Sequence, residues 1–159
     1  MTTPRQQKLD PFNNSFVNSH QVGGVHYKTP IEHWDFVVAC SLNYLEGNAT
    51  KYLTRSHKKS GLQDLQKSLH YVSKLIAVVS WSESRSWWLG WVDPKPELRP
   101  ARQRNSLPRH WVEFCEVNDI EPELSQFIGG LCNWSDLGDL RELEEALTRY
   151  VNHRFDLKG

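Results

Sequence analysis

A chain of 159 residues with 38% hydrophobic residues is long enough to bury the core of one domain. Its apolar runs, such as Leu75 to Val79, fall far short of the roughly 20 residues of a membrane-spanning helix. Net charge is zero, but residues 1–110 hold 15 of the 19 Lys and Arg and 8 of the 19 Asp and Glu, a balance of +7 against −7 in the remainder. A basic part that meets an anion and an acidic part that shields it, packs on it or touches a neighbouring subunit would give this pattern, as would two ordinary solvated surfaces. Cys40, Cys115 and Cys132 lack C-x-x-C spacing and read as reduced thiols in a small-residue core role, in a cytosolic setting.

Residues 1–25 are polar and aperiodic, which predicts a loose lead-in; Met1 to Asp10 has no apolar stretch of a secretory leader. Thr29-Pro30-Ile31-Glu32 reads as a capping box. Ile31, Trp34, Val38 and Leu42 then predict a first helix over about 30–44. Gly47 is expected to break or bend the chain before a second helix over about 48–58. Ser60-Gly61-Leu62-Gln63 reads as another capping box, and Leu62, Leu65, Leu69, Val72, Ile76 and Val79 carry a third helix to about 79.

Trp81, Trp87, Trp88 and Trp91 follow, then Pro94, Pro96, Pro100 and Pro108 with Arg99, Arg102, Arg104 and Arg109. Residues 81–109 therefore read as a Trp-rich segment and basic linker. The tryptophans suit a hairpin cap or an oligomer interface, or stacking on single-stranded nucleic acid. In the acidic region 110–159, helices are expected from Ser106-Leu107-Pro108 through Val117, from Glu121 to Leu131, and from an N-cap at Asp139 along Leu140, Leu143, Leu147 and Tyr150 or Val151. No alternating β-branched run suggests a strand. The expected fold is all-α: a three-helix module over 26–80 with a C-terminal helical extension.

Chemistry concentrates in the hairpin. On a helix Asn48, Lys51 and Arg55 project from one face, and Asp64, Lys67, Tyr71 and Lys74 repeat that spacing across the turn. Opposed in an antiparallel hairpin, the stripes would grip an anion: Arg55 bidentately, Lys51 and Lys67 by charge, with Gly47 allowing close backbone approach. Asp64 is either their counter-ion or a group that orients a substrate hydroxyl, base or metal. A solvated charged face gives the same spacing. His33, His57, His70, His110 and His153 show no H-E-x-x-H pairing, so no metal site is expected.

The series His26-Tyr27-Lys28, Ile31-Glu32, Gly47-Asn48-Ala49-x-Lys51-Tyr52-Leu53-x-Arg55-x-x-Lys58-Lys59, Asp64-Leu65-x-Lys67 and Tyr71 resembles a phage-borne family long catalogued as a domain of unknown function. That family includes an unusual deoxynucleoside monophosphate kinase of T-odd podophages. Over about residues 26–79 the resemblance implies nucleotide binding, and implies phosphoryl transfer from ATP or another nucleoside triphosphate, in the host cytoplasm. Lys51, Arg55, Asp64 and Lys67 would then serve catalysis, and His26, Tyr27, Lys28, Asn48, Lys58, Lys59, Tyr71 and Lys74 substrate binding.

No P-loop is present: Gly23-Gly24-Val25-His26-Tyr27-Lys28-Thr29 lacks the Gly-Lys step. Transfer would rest on positioning and charge neutralisation by side chains. Two other functions fit the same residues. One is retention of a nucleotide or nucleotide signal without turnover, in phage counter-defence; the other is nucleic-acid binding through the basic linker. A homo-oligomer is expected from the small size of the three-helix module.

Overall fold

The computed structural model describes residues 29–56, 58, 61–89 and 110–156, the side chains of 85–89 excepted. The expectations for His26, Tyr27, Lys28, Lys59 and the linker lie outside those residues. Six helices and no strand are described: α1 His33–Ala39, α2 Tyr44–Ser56, α3 Leu62–Leu89, α4 His110–Val117, α5 Pro122–Asn133 and α6 Leu137–Arg154. The chain is all-α, as expected, and no described helix is long and apolar enough to cross a membrane.

The first two helices differ from expectation in their boundaries. Thr29 does not cap a helix; its hydroxyl donates to the Ile31 carbonyl at 2.7 Å, and α1 starts only at His33, after Glu32. It stops at Ala39 because Ser41 takes a left-handed φ of 52°. The Ser41 and Leu42 amides then donate back to Val38 and Val37, each at 3.0 Å, which is a Schellman stop without its usual glycine. The same device ends α4: Asp119 has φ 53°, and Ile120 N–H donates to the Cys115 carbonyl at 3.0 Å.

Between these stops Asn43 opens α2 four residues earlier than expected. Its side-chain oxygen accepts from Glu46 N–H at 2.9 Å, and Glu46 Oε2 accepts from Asn43 N–H at 2.8 Å. This reciprocal pair is a capping box. Gly47 therefore lies inside α2, buried against Val37, and does not break the chain.

The α2–α3 hairpin is antiparallel, since Arg55 faces Asp64, the Ser68 hydroxyl donates to the Ala49 carbonyl at 3.0 Å, and Tyr44 meets Tyr71. Gly61, at φ +35°, supplies the carbonyl for the first bond of α3, from Leu65 N–H. Helix α3 continues to Leu89, well past the boundary expected near Ser80.

The C-terminal helices cover the apolar back of this hairpin, α6 against α3 and α5 against α2. One core unites Leu53, Leu65, Val72 and Leu75 with Leu124, Ile128, Leu131, Leu140 and Leu147. Burial of each such side chain stabilises the fold by about 1.5–3 kcal/mol before entropy is counted. Phe36 of α1 stacks on Phe114 of α4 with centroids 4.1 Å apart, and Asn118 pins Ile31 through both backbone groups. All three cysteines are buried and unbridged. Burial pushes the Cys115 thiol up to about 11, and the Cys40 side chain, with burial, pushes Cys132 well above the ordinary value. Helix α6 is capped by Asp136, not Asp139: Asp136 accepts from Asp139 N–H at 3.0 Å, while Asp139 accepts from the Ser135 amide and hydroxyl at 2.7 Å.

Candidate functional site

Helical spacing on α2 sets Tyr44, Asn48, Lys51, Tyr52 and Arg55 along one side, and α3 answers with Asp64, Lys67 and Tyr71. The geometry centres on Tyr52. Lys51 Nζ lies 4.9 Å from its ring centroid, Lys67 Nζ 5.4 Å and the Arg55 guanidinium carbon 5.7 Å. These are cation–π distances, so three cations from two helices converge on one ring. Tyr71 stacks on the same residue at 5.8 Å with an interplanar angle of 20°.

Asp64 lies beneath this face with no exposed surface, whereas Arg55 and Lys67 are 30% and 43% exposed. Its two oxygens stand 3.5 Å from Arg55 Nε and 3.9 Å from Lys67 Nζ, and among the described residues neither oxygen has a hydrogen-bond partner. A buried carboxylate without hydrogen bonds is costly, and the two cations lower that cost from one side. Of the two roles open to Asp64, the arrangement fits the counter-ion that aligns Arg55 and Lys67. A group enclosed in this way does not reach a ligand on the surface.

Asn48 acts as a brace. Its amide nitrogen donates to the Tyr44 carbonyl at 2.8 Å, and its oxygen accepts from Lys51 Nζ at 3.3 Å. Lys58 is exposed in the turn, its amide donating to the Arg55 carbonyl at 2.9 Å. Lys74 is exposed one turn beyond Tyr71, and the cation cluster on Tyr52 is made by the other three. The structure thus brings together Asn48, Lys51, Arg55, Asp64, Lys67 and Tyr71, and it leaves Lys58 and Lys74 at the margins.

Sequence reasoning passed over Tyr52, Tyr44 and His33 as site residues. Tyr44 and Tyr52 are eight residues apart, two turns of one face, a spacing visible only once α2 is known to start at Tyr44. His33 Nε2 is 3.0 Å from Thr50 Oγ1. That hydroxyl already donates toward the Glu46 and Gly47 carbonyls, so the imidazole is the donor to Thr50. Burial first, and Lys51 second, bring His33 down to about 4, and the ring is neutral at physiological pH. Among the described residues no group of three or more His, Cys, Asp or Glu is arranged to hold a metal ion.

Comparison with known proteins adds one finding. Residues 23–73 match the family described as a protein of unknown function, DUF3310. The matched segment is about a third of the chain and contains α1, α2 and the site-bearing half of α3. No curated protein and no solved structure matches.

Proposed function

We propose that the tyrosine and cation face of the α2–α3 hairpin binds the phosphate groups of a nucleotide. The convergence of Lys51, Arg55 and Lys67 around the Tyr52 ring carries the reading. A solvated charged face would spread its cations to lower their repulsion, whereas these three are gathered by an aromatic ring and a buried counter-ion. Arg55 offers a planar fork and the lysines mobile point charges, the combination that suits phosphate oxygens.

Transfer of a phosphoryl group from ATP to a nucleoside monophosphate is the activity that the kinase resemblance suggests for this face. Such transfer needs alignment and charge neutralisation more than covalent participation by the protein. Retention without turnover is the second reading. It is favoured by the enclosure of Asp64, the only carboxylate assigned to the site, which leaves a substrate hydroxyl without the group read as orienting it.

The test is purified full-length protein with ATP and each nucleoside monophosphate, analysed by mass spectrometry for new products and for ligand retained on the protein. Diphosphate formed by the native protein and lost in Lys51→Ala or Arg55→Ala is the result expected of a kinase. Retained nucleotide without product supports sequestration, and the absence of both overturns nucleotide binding. Salt-sensitive binding of long DNA, unaffected by Lys51→Ala, would direct attention to the basic linker instead.

A further inference from the structure

Tyr44 is an aromatic ring displayed in an unusual manner. It is the first residue of α2 and is 74% exposed, the highest exposure of the large hydrophobic side chains described. Its ring meets that of Tyr71 edge to face, with centroids 6.3 Å apart and an interplanar angle of 70°. The neighbouring Tyr44 side chain, and burial after it, raise Tyr71 above the ordinary phenol value. The ring is thus oriented while most of it stays open to solvent. An isolated exposed tyrosine calls for no explanation, but this one continues an ordered aromatic row, Tyr44, Tyr71, Tyr52, that ends among three cations.

The row also has polarity. Tyr44 precedes Lys51 by seven residues and Arg55 by eleven, so its backbone lies roughly 10 Å along the α2 axis from that of the first cation and about 16 Å from that of Arg55. Asn48 ties the two ends together by bonding the Tyr44 carbonyl and Lys51 Nζ. A ligand with a flat π-face at one end and phosphates at the other would lie along this line in only one direction.

We propose that Tyr44 is the base platform of the site: the nucleobase stacks on its open face while the 5′-phosphates extend along α2 toward Lys51, Arg55 and Lys67. This inference rests on the nucleotide-binding reading and assigns that ligand an orientation. Stacking on a tyrosine is tolerant of base identity, because every base has a π-face. The site should therefore discriminate nucleotides from base-free sugar phosphates more sharply than it discriminates one base from another.

Titration calorimetry of the full chain with adenosine 5′-monophosphate, thymidine 5′-monophosphate and ribose 5-phosphate tests the assignment. Native protein should bind both nucleotides about tenfold or more tighter than ribose 5-phosphate. Tyr44→Ala should remove that preference by weakening the nucleotides alone, about tenfold, equivalent to about 1.4 kcal/mol. Tyr44→Phe keeps the ring and should retain the preference, whereas Lys51→Ala should weaken all three ligands. The Tyr44 variants change a ring that is mostly exposed, and circular dichroism checks that all the variants fold. Nucleotide affinity unchanged in Tyr44→Ala but lost in Lys51→Ala would overturn the base platform and leave the phosphate site standing. No binding of any of the three ligands would overturn both.

Discussion

The α2–α3 hairpin buries a carboxylate near each end, and the two are treated in opposite ways. At the start of α2, Glu46 has no exposed surface but accepts hydrogen bonds from the Asn43 amide and, at 2.8 Å, from the Trp134 indole of the segment after α5. Near the turn, Asp64 is equally enclosed yet, among the described residues, has ion pairs without hydrogen bonds. Charge-assisted hydrogen bonds offset the desolvation of Glu46, and they join the hairpin to the C-terminal helices. For Asp64 the offset comes mainly from the charge of two partly exposed side chains, a weaker return in a wet setting. The structural end of the hairpin is satisfied; the charged end keeps its cations aligned at a cost in stability.

That contrast predicts different outcomes for similar substitutions. Glu46→Ala removes both acceptor bonds, leaves a buried indole N–H and a helix-start amide without this acceptor, and opens a cavity, so chemical denaturation should show a loss of about 3–5 kcal/mol. Asp64→Asn removes a poorly compensated charge, and its folding free energy should change by no more than about 1 kcal/mol. Its effect should appear instead in ligand binding, as a steeper fall of phosphate affinity with salt, because the cluster has lost its internal neutralising charge. Equal destabilisation by the two substitutions would erase the distinction between the two ends.

The structural end should also carry a pH signature. His33 is half-buried against Phe36 and Phe114, donates to Thr50 and feels Lys51. Its folded-state value of about 4 lies below the ordinary 6.5, so between those limits the unfolded chain binds a proton that the native chain refuses. The stabilisation is therefore complete above about pH 6.5 and falls as pH drops toward 4, by at most about 3 kcal/mol before solvent screening is allowed for. Denaturation midpoints measured across that window should flatten in His33→Gln, which can still donate to Thr50 but does not titrate. An unaltered slope would mean that other groups govern the acid limb.

How much of this was legible in the sequence depended on whether the signal was periodic or conformational. The stripe Leu62, Leu65, Leu69, Val72 and Ile76 has the period of a helix, and it located α3; Leu140, Leu143 and Leu147 did the same for α6. Helix ends were less readable, because Ser41 and Asp119 adopt the left-handed conformation that glycine would have advertised. At Asn43 to Glu46 the capping box was written in the sequence, but the preceding apolar period ran through it and concealed it. That Lys51 and Arg55 share one face, and that Lys67 shares the opposing face with Asp64, was legible from spacing, whereas the Tyr52 centre and the enclosure of Asp64 depend on how closely two helices approach, which spacing does not encode.

Gly47 tests that lesson at the smallest scale. Read from sequence it breaks the chain and admits a ligand to the backbone; in the structure it is a buried residue in the first turn of α2. A Cβ built there would meet the Val37 methyl carbons at 3.4 Å, ordinary van der Waals contact or slightly tighter. Nothing in its surroundings demands glycine, and alanine lowers the entropy of the unfolded chain while favouring the helix. Gly47→Ala should therefore stabilise the protein by up to about 1 kcal/mol, visible as a higher thermal midpoint, and leave phosphate affinity unchanged. Loss of affinity in a variant of normal or raised stability would return Gly47 to the binding face and show that ligand contacts reach further toward the start of α2 than the cation cluster does.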